Sequence, residues 1–208
     1  MATASLSKFT VPVGDDAGGL LMPKLKYRFR VTFDNFGVST DSKKVELTKQ
    51  VVDIKRPSVN FNPITIDVYN SKVYLQGKPE WQETTINLRD DAGGNVARMV
   101  GEQIQKQFDF MEQASAASGI DYKFLLRYEV LDGGNGASTP NVLETWELIG
   151  CMISQVDYGD MAYSSNDPVQ IALTLRFDNA IQTPSGVGIG TYVGRQIGGI
   201  SGARSITG

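Results

Sequence analysis

The sequence predicts a mainly β protein: a β-barrel or sandwich of about eight strands with one flanking α-helix and an extended arm at each end. Three observations predict it. Segment after segment alternates apolar and polar side chains; one segment only, after Asn95, changes to a spacing of three and four; and both ends are rich in Gly, Ser and Thr. A chain of 208 residues buries a core of useful size. One domain is expected over 23–181, with arms at 1–22 and 182–208 and the helix at about 94–118.

The first strand is "KYRFRVTF" (26–33), where Tyr27, Phe29, Val31 and Phe33 share a face opposite Lys26, Arg28, Arg30 and Thr32. "VELTKQVVDIKRP" (45–57) reads as a second strand stopped by Pro57. "SVNFNPITIDVYNSKVYLQGK" (58–78) reads as a long hairpin turning near Asn70-Ser71, with Pro63 marking an edge or bulged position. The fifth strand turns Thr84, Ile86 and Leu88 inward and Glu83, Thr85, Asn87 and Arg89 outward. From Asn95 onward Val96, Met99, Val100, Ile104, Phe108, Met111 and Ala114 recur at helical spacing, which predicts one amphipathic helix ending near Gly119. "YKFLLRYEV" (122–130) returns to strand, "VLETWELIGCMISQVDYG" (142–159) is one long strand or a bent pair, and "PVQIALTLRFDNA" (168–180) aligns Val169, Ile171, Leu173, Leu175 and Phe177. The Gly-rich stretch 182–208 carries too few apolar residues for a core and is expected to order against another chain.

Composition removes most chemistry. Histidine is absent, so Ser-His and Cys-His nucleophiles and imidazole metal ligands are excluded. The single Cys151 excludes an intramolecular disulfide and a thiolate zinc site, and its apolar surroundings predict a buried, inert thiol. The net charge of −3 gives no basic footprint for reading nucleic acid. Neither a secretory signal nor a run of about 18 apolar residues is visible. Production and use in the cytosol, or release by lysis, is expected.

The remaining candidates have structural readings. Asp90 and Asp91 stand where strand gives way to helix, a position at which carboxylates accept from free backbone N–H groups. "GVGIGTYVG" (186–194) lacks the strand before and the helix after that a dinucleotide fingerprint needs, and "DGGNG" (132–136) lacks the carboxylates of a calcium loop. Trp81 and Trp146 lie on separate strands, which favours core or subunit contact over a sugar-binding platform. A hydrolase built on carboxylates would need Asp90, Asp91, Asp157 or Asp160 to converge. No catalytic, cofactor or metal residue is assigned, and no enzymatic activity is expected.

The order of elements, with "YRFRV" (27–31), "VYLQGKPEWQETTINLRDD" (73–91), "LIGCMISQVDYG" (148–159) and "VQIALTLRFDNA" (169–180), resembles the tail tube proteins of contractile-tailed bacteriophages. Their fold is shared by the secreted tube protein of type VI secretion. The resemblance spans about 24–180. It implies six-membered rings stacked into a hollow tube inside a sheath, in a virion tail assembled in the host cytoplasm. The partners it implies are further copies of the chain, the sheath, baseplate and terminator proteins, a tape-measure protein in the lumen, and DNA only in transit; the alternative is a secretion or phage-derived contractile injection system. The hairpin, through Phe61, Ile64, Ile66, Tyr69 and Tyr74, is expected to form the subunit interface, because an isolated ribbon cannot bury that many apolar side chains. Glu83, Arg89, Gln170 and Arg176 are expected on a lumen-facing or otherwise exposed strand face.

Overall fold

The computed structural model describes residues 24–37, 45–46, 48–132, 140–184 and 189. Its elements run β1 (Phe29–Asp34), β2 (Val45–Glu46), β3 (Val51–Ile54), β4 (Val59–Val68), β5 (Ser71–Trp81), β6 (Thr84–Arg89), α1 (Asn95–Gln107), β7 (Phe108–Asp109), β8 (Ala114–Ser115), α2 (Gly119–Tyr122), β9 (Phe124–Leu131), β10 (Val142–Asp157), β11 (Gln170–Arg176) and β12 (Asn179–Pro184). Eight strands form one antiparallel sheet in the order β2-β1-β9-β10-β11-β6-β3, with β12 also on β10. The mainly β architecture with a flanking helix is therefore as the sequence predicts. Both terminal arms lie outside the described residues, save that the last strand runs on to Pro184.

The sixteen-residue β10 makes two sheet surfaces out of one. Its first part pairs with β9 from Val142 to Cys151 and with β12 from Glu144 to Ile149; its second part, Met152 to Asp157, pairs with β11. β12 and β11 thus follow one edge of β10 in sequence, parted at Phe177 and Asp178. Gly150 sits opposite this break with φ +70, and the Asp178 carboxylate occupies the space a Cβ would take. A glycine is required there for both reasons. Lys123 Nζ holds the same carboxylate at 2.6 Å.

Inward side chains of both surfaces meet in one core. Val31, Phe33, Leu126 and Leu148 come from the β1-β9-β10 side, and Ile86, Leu88, Ile171, Leu173 and Leu175 from the β11-β6 side. Each such side chain, fully buried, contributes about 1.5–3 kcal/mol. Phe33, Phe36 and Phe124 form an aromatic cluster with centroids 4.8–6.0 Å apart. Outward, cross-strand charges match: Arg30 faces Glu129 and Arg127 faces Glu147, each with a guanidinium Nε–carboxylate distance of 2.8 Å. Tyr27 departs from expectation: it precedes β1, in a turn, and is 72% exposed. The segment 45–57 is likewise two short strands with a turn at 48–50 between them.

The helix is shorter than its periodicity suggests. α1 ends at Gln107 because Phe108 is extended, at φ −153, and the Asp109 carboxylate accepts the N–H groups of Met111 and Glu112 at 2.8 and 3.2 Å. That local bonding competes with the helix and folds 108–115 into a small hairpin. Phe110 and Met111 consequently face solvent. The buried face is carried by Val96, Val100 and Gln103. Gln103 replaces a hydrophobe: its Oε1 accepts from Gly37 N–H and its Nε2 donates to the Tyr122 carbonyl. Gln107 similarly grips both the N–H and the carbonyl of Ile153 on β10.

Gly150→Ala should lower unfolding stability by about 2 kcal/mol, read as a reduced denaturant midpoint at unchanged slope, because the left-handed backbone and the Asp178 carboxylate both oppose a Cβ. Gly101→Ala, within α1 and with open space where the Cβ would lie, should raise stability by about 0.5–1 kcal/mol in the same assay.

Candidate assembly interface

Among the described residues β4 and β5 pair only with each other, and every residue from Asn60 to Gln76 is exposed. The hairpin turns at Tyr69-Asn70, with Val68 opposite Ser71, one residue earlier than the sequence suggests. Tyr69 takes φ +50 at the tip. Directly opposed residues share a face of an antiparallel ribbon. Ile64 opposes Leu75 and Ile66 opposes Val73, with Val68 next in line opposite Ser71, so one face is aliphatic up to the serine at the tip. These five side chains are 43–54% exposed. Thr65 with Tyr74 and Asp67 with Lys72 make the other face. The structure therefore brings Ile64 and Ile66 together, sets Tyr74 on the opposite face, leaves Tyr69 at the tip and puts Phe61 beyond a bulge near the base. Leu75 was missed by the sequence reading; only the register across the turn identifies it.

The base of the ribbon is anchored. The bulge lies between Phe61 and Pro63, as the proline foretells, and Gly77 is needed there because the Asn62 carbonyl lies where its Cβ would be. The Trp81 ring packs on Phe177 at 5.7 Å, Gln82 N–H donates to the Ser58 carbonyl at 2.8 Å, and the Thr84 hydroxyl bonds the Lys55 carbonyl.

A buried carboxylate lies near the approach to the hairpin. Glu144 is 2% exposed. Its Oε2 meets Lys24 Nζ at 2.5 Å and Arg56 at 3.5 Å; its Oε1 accepts from Trp146 Nε1 at 2.5 Å and Gln182 Nε2 at 2.7 Å. Lys24 precedes β1, Arg56 precedes the hairpin and Gln182 lies on β12. Burial alone would raise the Glu144 carboxyl, but bonds from Lys24, Trp146 and Gln182, with the Arg56 charge, more than reverse it, and its pKa lies below the ordinary value. Tyr128 stacks on Trp146 at 6.2 Å, and burial pushes its hydroxyl up. The sequence carried one signal for this site: in "ETWEL", Glu144 has the inward parity of Trp146 and Leu148.

The remaining candidates resolve into structure. Asp91 Oδ1 accepts the N–H of Asn95 at 2.7 Å and of Val96 at 3.4 Å, and Asp90 Oδ1 accepts those of Asp91 and Ala97 at 3.0 and 3.4 Å. Hydrogen bonding, first from the Asn95 side chain, holds the Asp91 carboxyl below its usual range. Both aspartates thus serve the turn into α1. Arg89 faces Gln170 across β6 and β11, and Arg176 Nε bonds Glu83 at 2.6 Å toward the other end of the same pair, so these four residues lie along one outer surface. Trp146 is 6% exposed and Trp81 leans on Phe177, which leaves no tryptophan platform for a sugar. Cys151 is fully buried, and burial pushes its thiol up to about 12. Among the described residues no three His, Cys, Asp or Glu cluster so as to hold a metal. The 186–194 glycine string lies outside the described residues apart from Ile189, and the 132–136 string apart from Asp132.

Because the folded Glu144 carboxyl has a depressed pKa, its stabilisation is present above the ordinary value of 4.5 and is lost as pH falls through the folded value. Glu144→Gln should cost about 2 kcal/mol at pH 7, a modest figure because Lys24 and Arg56 are half in water. Denaturant melts from pH 7 to pH 3 should show the parent losing stability more steeply than the variant below about 4.5, its ordinary pKa.

No protein-family profile and no curated protein sequence matches this chain. Solved structures do. A chain of the anti-feeding prophage baseplate superposes with a TM-score of 0.62 at 12% identity, covering 81% of this chain and 100% of that one. A chain of the anti-feeding prophage tube-terminating cap gives 0.59 at 15% identity, over 84% and 100%. A chain of the sheath/tube terminator of an extracellular contractile injection system, PVC, gives 0.58 at 16% identity, over 79% and 99%. This chain has the tail-tube fold found in contractile injection assemblies.

Proposed function

We propose that this chain is a structural subunit of a contractile injection apparatus, self-associating into six-membered rings that stack as a hollow tube within a sheath. The observation that carries the reading is the ribbon with its uncovered aliphatic face. An apolar surface of that kind on a rigid, well-cored domain marks a protein contact, and a free strand edge extends a neighbour's sheet through main-chain hydrogen bonds. The fold supports the same reading, since its likenesses belong to a baseplate, a tube-terminating cap and a sheath/tube terminator. The partners are then further copies of the chain, a sheath, and the cap and baseplate proteins at the ends of the tube. The subunit works by shape and contact, with no chemical step.

The phage-tail reading, with a tape-measure protein and then DNA in the lumen, takes second place. The solved structures similar to this chain come from an anti-feeding prophage and an extracellular contractile injection system. The row Glu83, Arg89, Gln170 and Arg176 is of mixed sign, so neither cargo would be held tightly by it if it faces the lumen. Nuclease-protected DNA inside native particles would restore the phage reading.

Purified protein should form rings or tubes visible by electron microscopy and sedimenting well above the monomer. Ile66→Ser with Val73→Ser should leave a folded monomer, with unchanged circular dichroism, that makes none. Thr65→Ser with Lys72→Ser, on the opposite face, should assemble like the parent. A parent that stays monomeric at every concentration would refute the reading.

A further inference from the structure

We infer that the cleft between β3 and the start of β1 is a binding site for a small uncharged amphiphile, an aliphatic molecule with one hydrogen-bond-accepting group that meets the Tyr128 hydroxyl. The cleft holds about 910 Å³, within the size range of small-molecule sites. Phe29, Val51, Ile54 and Val130 give it apolar walls. Tyr128 belongs to the same lining and is 2% exposed. Among the described residues its hydroxyl is the one buried side-chain oxygen or nitrogen without a hydrogen-bond partner. Such a group has lost its water without replacement, and native structures rarely leave one so.

The other polar groups of the lining are committed or in water. Lys24 and Arg56 both serve Glu144, at 2.5 and 3.5 Å. Arg28 donates to the Asp132 carbonyl, and the Asp53 carboxylate accepts from the Asn87 amide at 2.9 and 3.1 Å. The Thr48 hydroxyl accepts the Val31 N–H at 3.1 Å and donates to the Val31 carbonyl at 3.4 Å. Lys26 and Tyr27 are exposed. This pattern sets the chemistry of the ligand. The inner cations are already neutralised by a carboxylate of the protein, so the head is uncharged, and the walls call for an aliphatic body. A lone water needs two to four polar partners, which one uncommitted hydroxyl among apolar walls does not supply. A ketone, ether or ester oxygen needs only the one.

The hydroxyl is screened rather than sealed. Arg56 lies close enough for its charge to act on the phenol, and the Arg56 and Lys24 side chains are 56% and 47% exposed. Side chains half in water change rotamer without disturbing a core. A ligand lying along Phe29, Val51 and Ile54 therefore brings its head to the phenol as one of these two swings aside. Burial keeps that phenol protonated, so it acts as a donor. Trp146 stacks on the same ring at 6.2 Å and backs it.

The probe is 2-nonanone, an aliphatic chain with a single carbonyl. Calorimetric titration of the dilute parent protein should show one site per chain. Tyr128→Phe keeps the ring and should weaken binding about tenfold. Val52→Trp, at a position 37% exposed on the cleft wall, should abolish binding with circular dichroism unchanged. Nonanoate, a chain of the same length ending in a carboxylate, should bind more weakly than the ketone, because Glu144 already engages Lys24 and Arg56. Without ligand, Tyr128→Phe should melt at a higher temperature than the parent, since the unpartnered hydroxyl is gone. No uptake of 2-nonanone by the parent, equal uptake by Tyr128→Phe, or a lower melting temperature of that variant would each overturn the inference. Tighter binding of nonanoate than of the ketone would overturn the uncharged class of ligand.

Discussion

One strand has to serve two sheets, and the fold depends on how it bends to do so. β10 pairs with β9 and β12 along its first part and with β11 along its second. A straight strand of that length would leave one pairing partner unable to follow the sheet twist. The turn is taken at Gly150, where the backbone enters the left-handed region and the facing Asp178 fills the space a side chain would need. Two walls of apolar side chains can then close on one another, and α1 is fastened across the bend by the Gln107 amide on Ile153.

On the same strand, six residues before that glycine, Glu144 is buried. Removing a carboxylate from water is costly, and three hydrogen-bond donors with the Arg56 charge make the position tolerable. These groups are Lys24, Trp146 on β10 itself, Gln182 on β12, and Arg56 on the approach to the hairpin. A carboxylate so surrounded ties these segments to one buried group. The ribbon is anchored by Trp81 on Phe177 and carries one exposed aliphatic face.

Charges on the outer strand faces pair across neighbouring strands, Arg30 with Glu129, Arg127 with Glu147 and Arg176 with Glu83. Exposed pairs of this kind keep a surface hydrated and add little stability each.

The sequence by itself determined whatever depends on neighbours along the chain. Alternation of period two placed Ile86 and Leu88, then Ile171, Leu173 and Leu175, on inward faces; the change of period after Asn95 announced the helix; Pro63 marked the bulge; and Asp90 with Asp91 marked the turn before the helix. Only the tertiary structure decided whatever depends on register and on contacts between distant segments. Local competition from the Asp109 side chain ended α1 at Gln107, although the apolar spacing ran on. Which apolar residues of the ribbon share a face follows from a turn at Tyr69-Asn70, and a shift of one residue there would reassign every pair. Glu144 gains its partners from residues as far as 120 positions away, and no local pattern encodes a partner at that separation.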